Sequence, residues 1–130
     1  MTRDVLAVAP DDTLGFAAER MVERGSGSAV VADYGRLIGI LTERDVLHAV
    51  AGRIHSSEAT VREWMTPEPV TATESTTAEE AAQIMLENDF RHIPVVEGER
   101  AIGVVSIRDV LSYTVGIDAG RASGPGRAAS

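Results

Sequence analysis

The chain has 130 residues and no cysteine. Disulfide bonds, thiolate nucleophiles and zinc or iron–sulfur sites with cysteine ligands are therefore excluded. Lysine is absent as well: the twelve basic residues are all arginines, scattered from Arg3 to Arg127 without a run. Twenty acidic residues outnumber them and give a formal charge of −8. We therefore expect no binding to duplex nucleic acid or to anionic membranes, because both partners require a concentrated basic face.

The sequence also lacks long apolar runs. No window approaches the roughly 18 consecutive apolar residues of a membrane-spanning helix. Residues Met1 to Asp4 lack the basic segment and the apolar stretch with which a secretory signal begins. With 44% hydrophobic and 25% charged residues, the composition is typical of one compact soluble domain, and we expect a cytoplasmic protein.

The most informative feature that is present is an internal repeat. Adding 64 to a residue number carries the first half onto the second without a gap. The matched pairs include Met1/Met65, Thr13/Thr77, Ala17/Ala81, Met21/Met85, Gly39/Gly103, Arg44/Arg108, Asp45/Asp109, Leu47/Leu111 and Gly52/Gly116. Each copy alone is too small to bury a good core, so we expect the two copies to pack together as one domain.

Each copy predicts the order strand, helix, strand, strand, helix. Polar residues that end at Thr13 and Thr77 predict the starts of the first helices. Apolar residues at helical spacing follow, and we expect them in the core: Leu14, Ala17, Ala18, Met21 and Val22, then Ala78, Ala81, Ala82, Met85 and Leu86. Two short apolar runs around a polar turn predict a hairpin in each copy, and Thr42 or Ser106 opens the closing helix.

These patterns predict four segments. We expect the first repeat in residues 1–55, a linker helix in 56–64, the second repeat in 65–117 and a disordered tail in 118–130. Trp64 is expected to pack onto the domain and anchor the linker. The tail consists mainly of Gly, Ala, Ser and Arg, a composition that does not support a core.

The residues resemble a tandem pair of CBS domains, the modules named for cystathionine β-synthase. The resemblance covers about residues 1–117 and rests on Trp-Met-Thr-Pro at 64–67, on Arg-His-Ile-Pro-Val-Val at 91–96, and on a motif that occurs twice. This motif is Gly, two apolar residues, Thr or Ser, two residues and Asp, at 39–45 and 103–109. The resemblance implies an α+β fold of two β-α-β-β-α repeats packed about a pseudo-two-fold axis.

The resemblance also implies a regulatory ligand, an adenosine nucleotide such as AMP, ADP or ATP, in the clefts between the repeats. The family's Ser/Thr-x-x-Asp motif maps onto Thr42 with Asp45 and onto Ser106 with Asp109. The carboxylate is suited to accept the ribose hydroxyls, and the hydroxyl and free N–H groups at the helix start are suited to phosphate oxygens. The same motif is also a helix capping box, and the two roles are compatible.

Further candidate ligand-binding residues follow from the resemblance. Adenine would stack near the opening strand and the hairpin of one repeat, and the backbone of that strand would hydrogen-bond to the edge of the base. Basic groups would neutralise the charge of the phosphate. The residues concerned are Val70, Thr71, Thr73, Ile93 and Pro94 for the base, and Arg44, His92 and Arg108 for the phosphate. The first copy has Gly27, Ser28 and Val30 where the second has Arg91, His92 and Pro94, so we expect the site with Ser106 and Asp109 to bind more strongly.

Catalysis is not expected. His48, His55 and His92 have no metal-ligand spacing, and no nucleophile elbow or phosphate-binding glycine loop is present, so we expect neither a metal nor a required cofactor. Because the 130 residues hold no effector domain, regulation implies a partner protein in trans, and we expect a homodimer. Two alternatives stay open: a ligand-free dimerisation or scaffold module, and a sensor of an S-adenosylmethionine-type ligand.

Overall fold

A computed structural model describes residues 5–55 and 57–111. Its elements, in chain order, are β1 (Ala7–Val8), α1 (Leu14–Arg24), β2 (Ser28–Asp33), β3 (Arg36–Thr42), α2 (Glu43–Ala51), α3 (Val61–Trp64), β4 (Thr66–Pro67), α4 (Ala78–Asn88), β5 (His92–Glu97) and β6 (Arg100–Ser106). Residues 107–111 are again helical. The tail predicted to be disordered lies outside the described residues.

Helices α1 and α4 occupy equivalent places in the two repeats and begin and end in the same way. Thr13 and Thr77 are their N-caps, and each hydroxyl accepts a hydrogen bond from a backbone N–H three residues later. Both helices stop at a left-handed residue, Gly25 in α1 and Asp89 in α4. The start signals in the sequence therefore predict the first residues of both helices correctly.

The described residues form two compact units. The first unit comprises residues 5–69 together with 98–101, and its sheet has the order β1-β2-β3-β4. Strand β1 is parallel to β2, whereas β3 is antiparallel to both of its neighbours, β2 and β4. The core of this unit contains Leu6, Val8, Leu14, Ala17, Met21, Ala29, Val31, Leu41, Ala49, Ala59 and Val61, and Trp64 packs against it.

The second unit has its own sheet and core. Among the described residues it comprises 70–97 and 102–111. Strands β5 and β6 form a two-stranded sheet, and an isolated parallel bridge joins Ala72 to Val95. The core contains Ala72, Ala81, Met85, Ile93, Val95 and Val110, with partly buried apolar side chains around it.

The predicted fold class is confirmed: the protein is mixed α+β and built from two β-α repeats. Two core residues were predicted wrongly, because Val22 is 81% exposed and Leu86 is 78% exposed. Each follows a buried methionine by one position, which rotates it by about 100° around the helix axis and away from the core.

Among the described helices, none has the length and apolar character that a bilayer crossing requires.

Candidate functional site

The first Ser/Thr-x-x-Asp motif lies where β3 leads into α2. The half-buried Asp45 accepts two hydrogen bonds at its Oδ2, from the Thr42 backbone N–H at 2.8 Å and from the Thr42 hydroxyl at 3.1 Å. The Asp45 N–H donates in return to Thr42 Oγ1 at 3.4 Å. The pair is a reciprocal capping box, so in the first unit the two side chains stabilise the start of α2.

The second motif lies where β6 leads into the helical residues 107–111. The Ser106 backbone N–H donates to Asp109 Oδ2 at 2.8 Å, and the Asp109 N–H donates to Ser106 Oγ at 3.1 Å. Unlike Thr42, Ser106 donates its hydroxyl proton to no group in the described part of the chain. The hydroxyl proton of Ser106 is therefore free to bond to an acceptor on a ligand.

The burial of the two aspartates also differs. Asp109 is only 6% exposed, and its Oδ1 atom is buried without a hydrogen-bond partner among residues 5–55 and 57–111. A buried polar atom left without a partner costs about 1–3 kcal/mol, which is why buried polar atoms are nearly always paired. The second motif therefore contains a buried hydrogen-bond acceptor, Asp109 Oδ1, to which none of the described residues donates.

Backbone hydrogen bonds fix the start of the second motif against β5. The Ile107 N–H donates to the Arg91 carbonyl at 2.8 Å, next to the first residue of β5. In the first unit the equivalent bond runs from the Glu43 N–H to the Gly27 carbonyl, at 3.1 Å. The constant repeat offset relates Arg91 and Ile107 to Gly27 and Glu43, but the sequence pattern alone does not show that their backbone groups bond.

The opening segments of the two repeats pair differently with the strand beside them. In the first unit, the Val30 N–H donates to the Leu6 carbonyl at 2.9 Å and strand β1 forms. The equivalent residues of the second unit are Pro94 and Val70, and proline has no N–H to donate. Only the Ala72–Val95 bridge remains, with bonds from the Ala72 N–H to the Pro94 carbonyl at 2.9 Å and from the Val96 N–H to the Ala72 carbonyl at 2.8 Å.

The other predicted ligand-binding residues of the second unit lie in differing environments. Val70 is 38% exposed and Thr71 is exposed, so both present surface to solvent. Ile93 is fully buried within the core of the unit. Thr73 lies in a turn in which its N–H donates to Thr76 Oγ1 at 3.0 Å.

The basic candidates are spread over both units. Arg44 and Arg108 are exposed on the first turns of their helical segments, and His92 is half-buried at the start of β5. Each arginine immediately precedes the aspartate of a motif. Within the described ranges, no three or more His, Asp or Glu side chains are grouped so that they could hold a metal ion.

Comparison with known protein families gives two matches to one model. The model described as "CBS domain" matches residues 1–52 and 61–116, which together cover most of the chain. These two ranges carry the two Ser/Thr-x-x-Asp motifs.

Known proteins are similar over most of the chain. The chain is 40% identical over 111 residues to an uncharacterised 17.7 kDa protein of Acidianus ambivalens; this covers 84% of the chain and 66% of the relative, just under two thirds of its length. A crystal structure of a CBS-domain containing protein from Agrobacterium tumefaciens has 40% identity and a TM-score of 0.78, with 84% of this chain and 88% of that chain covered. The crystal structure of CBSX2 in complex with AMP has 27% identity and a TM-score of 0.75, with 91% and 94% covered.

Proposed function

Because the chain belongs to the CBS-domain family, we propose that it is a regulatory protein that binds an adenosine nucleotide at Ser106 and Asp109. The observation that carries the proposal is the buried Oδ1 of Asp109, which has no partner in the described part of the chain. A ligand that donates a hydrogen bond to this oxygen removes the cost of leaving it unpaired.

The ribose of a nucleotide has the donor groups that this site lacks. Its two neighbouring hydroxyls can both donate to one carboxylate, and Asp109 Oδ2 is already oriented by the Ser106 backbone N–H. The free hydroxyl proton of Ser106 can donate to an oxygen of the same ligand. Arg108, which precedes Asp109 and is exposed, supplies positive charge for a phosphate.

Similarity to a protein of known ligand supports the choice of an adenosine nucleotide. CBSX2, with 27% sequence identity to this chain, was crystallised with AMP. AMP is therefore the first ligand to test, with ADP and ATP beside it.

The ligand would act by shifting an equilibrium rather than by chemistry. Nucleotide binding can favour one arrangement of the protein over another only through its different affinities for the two. In this proposal the favoured arrangement is recognised by a partner protein in trans, and the response follows the relative levels of the adenosine nucleotides.

A thermal-shift titration with AMP, ADP, ATP, S-adenosylmethionine and a GTP control tests the proposal. A ligand at about 100 times its dissociation constant stabilises the fold by about 2.7 kcal/mol and raises the melting midpoint by several degrees. We expect this rise with at least one of AMP, ADP and ATP and not with GTP. No rise with any of these three at millimolar concentration would overturn the proposal, and a rise with S-adenosylmethionine alone would replace the ligand.

Exposed apolar side chains on the helices support a second candidate function, self-association without a ligand. Val22 and Leu86 are exposed at equivalent positions of the two repeats, and so are Leu47 and Leu111. Apolar residues repeated on the exposed sides of helices are typical of a contact surface, and an equal patch on each copy of a chain suits a two-fold dimer.

A charged substitution on the exposed helix surface tests whether these apolar side chains form a dimer contact. We expect Leu47→Glu to weaken a homodimer in sedimentation experiments, while Tyr34→Glu, at a fully exposed hairpin position, leaves it intact. If the wild-type chain sediments as a monomer, or if both variants remain dimeric, the helix positions do not form the dimer contact.

A further inference from the structure

The chain contains no cysteine, so its oxidisable sulfur belongs to four methionines. Three of them lie in the described residues and differ in burial: Met21 is 5% exposed and Met85 is 2% exposed, whereas Met65 is half-buried. Thr66 and Pro67, which follow Met65, are exposed, so solvent reaches this part of the chain. We propose that Met65 is an oxidation site, at which a peroxide converts the thioether to a sulfoxide and loosens β4 from β3.

The sulfur of Met65 packs against β3 at the place where β4 pairs with it. A Cβ atom at Gly39 would lie 2.5 Å from Met65 Sδ, so the sulfur takes up the space that a side chain at position 39 would fill. The side chain of Met65 also packs against the core of the first unit. Its backbone N–H donates to the Val61 carbonyl at 2.8 Å, which fixes Met65 at the end of α3. A chemical change at the sulfur is therefore a change in the contact between two strands.

Hydrogen peroxide oxidises a thioether without any further reactant. A lone pair of the sulfur attacks one peroxide oxygen, the O–O bond breaks, and the second oxygen leaves as water after it takes up the proton of the first. The sulfur loses two electrons and the peroxide gains them. The product is a sulfoxide, which methionine sulfoxide reductases return to the thioether. Oxidation at Met65 is therefore a reversible modification.

A sulfoxide does not fit the contact that the thioether makes. Its oxygen is a polar acceptor, and the Thr66 carbonyl oxygen, which borders the same space beside Gly39, is an acceptor as well. Two acceptors that face each other form no hydrogen bond, and a polar oxygen among apolar side chains costs free energy. The oxidised side chain therefore moves away from Gly39 toward solvent, and the packing between β3 and β4 is lost.

Strand β4 is short, so the loss of one packing contact weakens its pairing with β3. The strand has two residues, of which Pro67 pairs with Gly39, and the Glu68 N–H that follows donates to the Ile38 carbonyl at 3.1 Å. The long segment of the first unit ends at Pro69, directly after this pairing. Oxidation of Met65 therefore acts where the chain passes from the first unit to the second. No nucleotide takes part, so this modification goes beyond the proposed function.

Peptide mass spectrometry of the folded chain after brief treatment with hydrogen peroxide identifies the oxidised methionines. We expect Met65 to take up oxygen on the order of tenfold faster than Met21 or Met85, because susceptibility to oxidation follows exposure. The oxidised chain should melt several degrees lower, and methionine sulfoxide reductases A and B should restore the midpoint. Met65→Leu, which keeps an apolar side chain of similar volume, is the matched control, and its midpoint should not change on the same treatment.

Amide hydrogen exchange of the oxidised wild-type chain keeps the test independent of whether Met65→Leu folds. Oxidation should speed the exchange of the Glu68 N–H on the order of tenfold. The Val30 N–H, which bonds the Leu6 carbonyl elsewhere in the same sheet, should exchange as before. Equal oxidation rates at the three described methionines would overturn the inference. A sulfoxide at Met65 that changes neither the melting midpoint nor the exchange of the Glu68 N–H would overturn it as well.

Discussion

At the scale of single residues, Gly39 shows how closely two backbone segments approach. A Cβ atom at this position would lie 2.5 Å from Met65 Sδ and 3.0 Å from the Thr66 carbonyl oxygen. Strand β4 pairs with β3 at this place, with Pro67 opposite Gly39. The glycine is therefore needed for the contact between the strands and not for a special backbone angle.

We expect Gly39→Ala to destabilise the first unit by about 1–3 kcal/mol, because the Met65 side chain and the β4 backbone must both move away from the new Cβ atom. Gly52→Ala is the matched control. Its Cβ would make only ordinary contacts of 3.5 Å or more, and its φ of −81° is open to any residue. Urea denaturation followed by circular dichroism checks the pair, and an equal loss of stability in both variants would contradict the account of Gly39.

The sequence identifies Thr42, Asp45, Ser106 and Asp109 as candidates because the repeat places the same motif in both halves. It does not reveal that Asp109 is buried, with one oxygen that has no partner among the described residues, while Asp45 is half-buried. Burial depends on what packs around each motif, and two identical local patterns carry no information about it. The sequence predicts unequal sites from Arg91, His92 and Pro94, which the first repeat lacks. The structure adds a difference in burial between the two aspartates.

At the scale of elements, the helices are the most predictable part of the fold, because their end signals are local. Helix α4 begins with a complete capping box, in which the Thr77 N–H donates to Glu80 Oε1 at 2.8 Å and the Glu80 N–H donates to Thr77 Oγ1 at 3.1 Å. The side chains on the far face were harder to place. Helical spacing alone does not decide how wide the buried stripe is, so Val22 and Leu86 were assigned to the core although they are exposed.

We expect Thr77→Ala to lower the stability of the protein by about 1 kcal/mol, because the Glu80 N–H loses its acceptor at the start of α4. Thr77→Ser restores a hydroxyl and should recover most of the loss. Thermal denaturation of the two variants beside the wild type checks this. If Thr77→Ser melts as early as Thr77→Ala, the hydroxyl does not cap the helix.

At the scale of the whole molecule, a doubled sequence does not make two equal binding sites. The two repeats share their helix caps, their hairpins and the register of their opening segments, yet they differ in the groups left for a ligand. In the second unit Asp109 is buried and its Oδ1 has no partner among the described residues, whereas Asp45 in the first unit is half-buried. One chain should therefore bind a single nucleotide tightly.

Equilibrium dialysis with radiolabelled AMP measures this stoichiometry. We expect about one nucleotide per chain at saturation of the tight site, because the buried carboxylate oxygen without a partner among the described residues belongs to Asp109 of the second unit. Two nucleotides per chain, bound with equal affinity, would show that the capping box of the first motif opens readily and that the difference between the units has no effect on binding.

The central claim is that the unpaired, buried carboxylate oxygen of Asp109 binds the ligand, and calorimetric titration of AMP into two isosteric variants tests it most directly. Asp109→Asn removes the negative charge and one acceptor from the second motif, while Asp45→Asn makes the same change in the first. We expect Asp109→Asn to weaken AMP binding by about tenfold or more, and Asp45→Asn to change it by less than about threefold. Equal losses in the two variants, or full affinity in Asp109→Asn, would contradict the account.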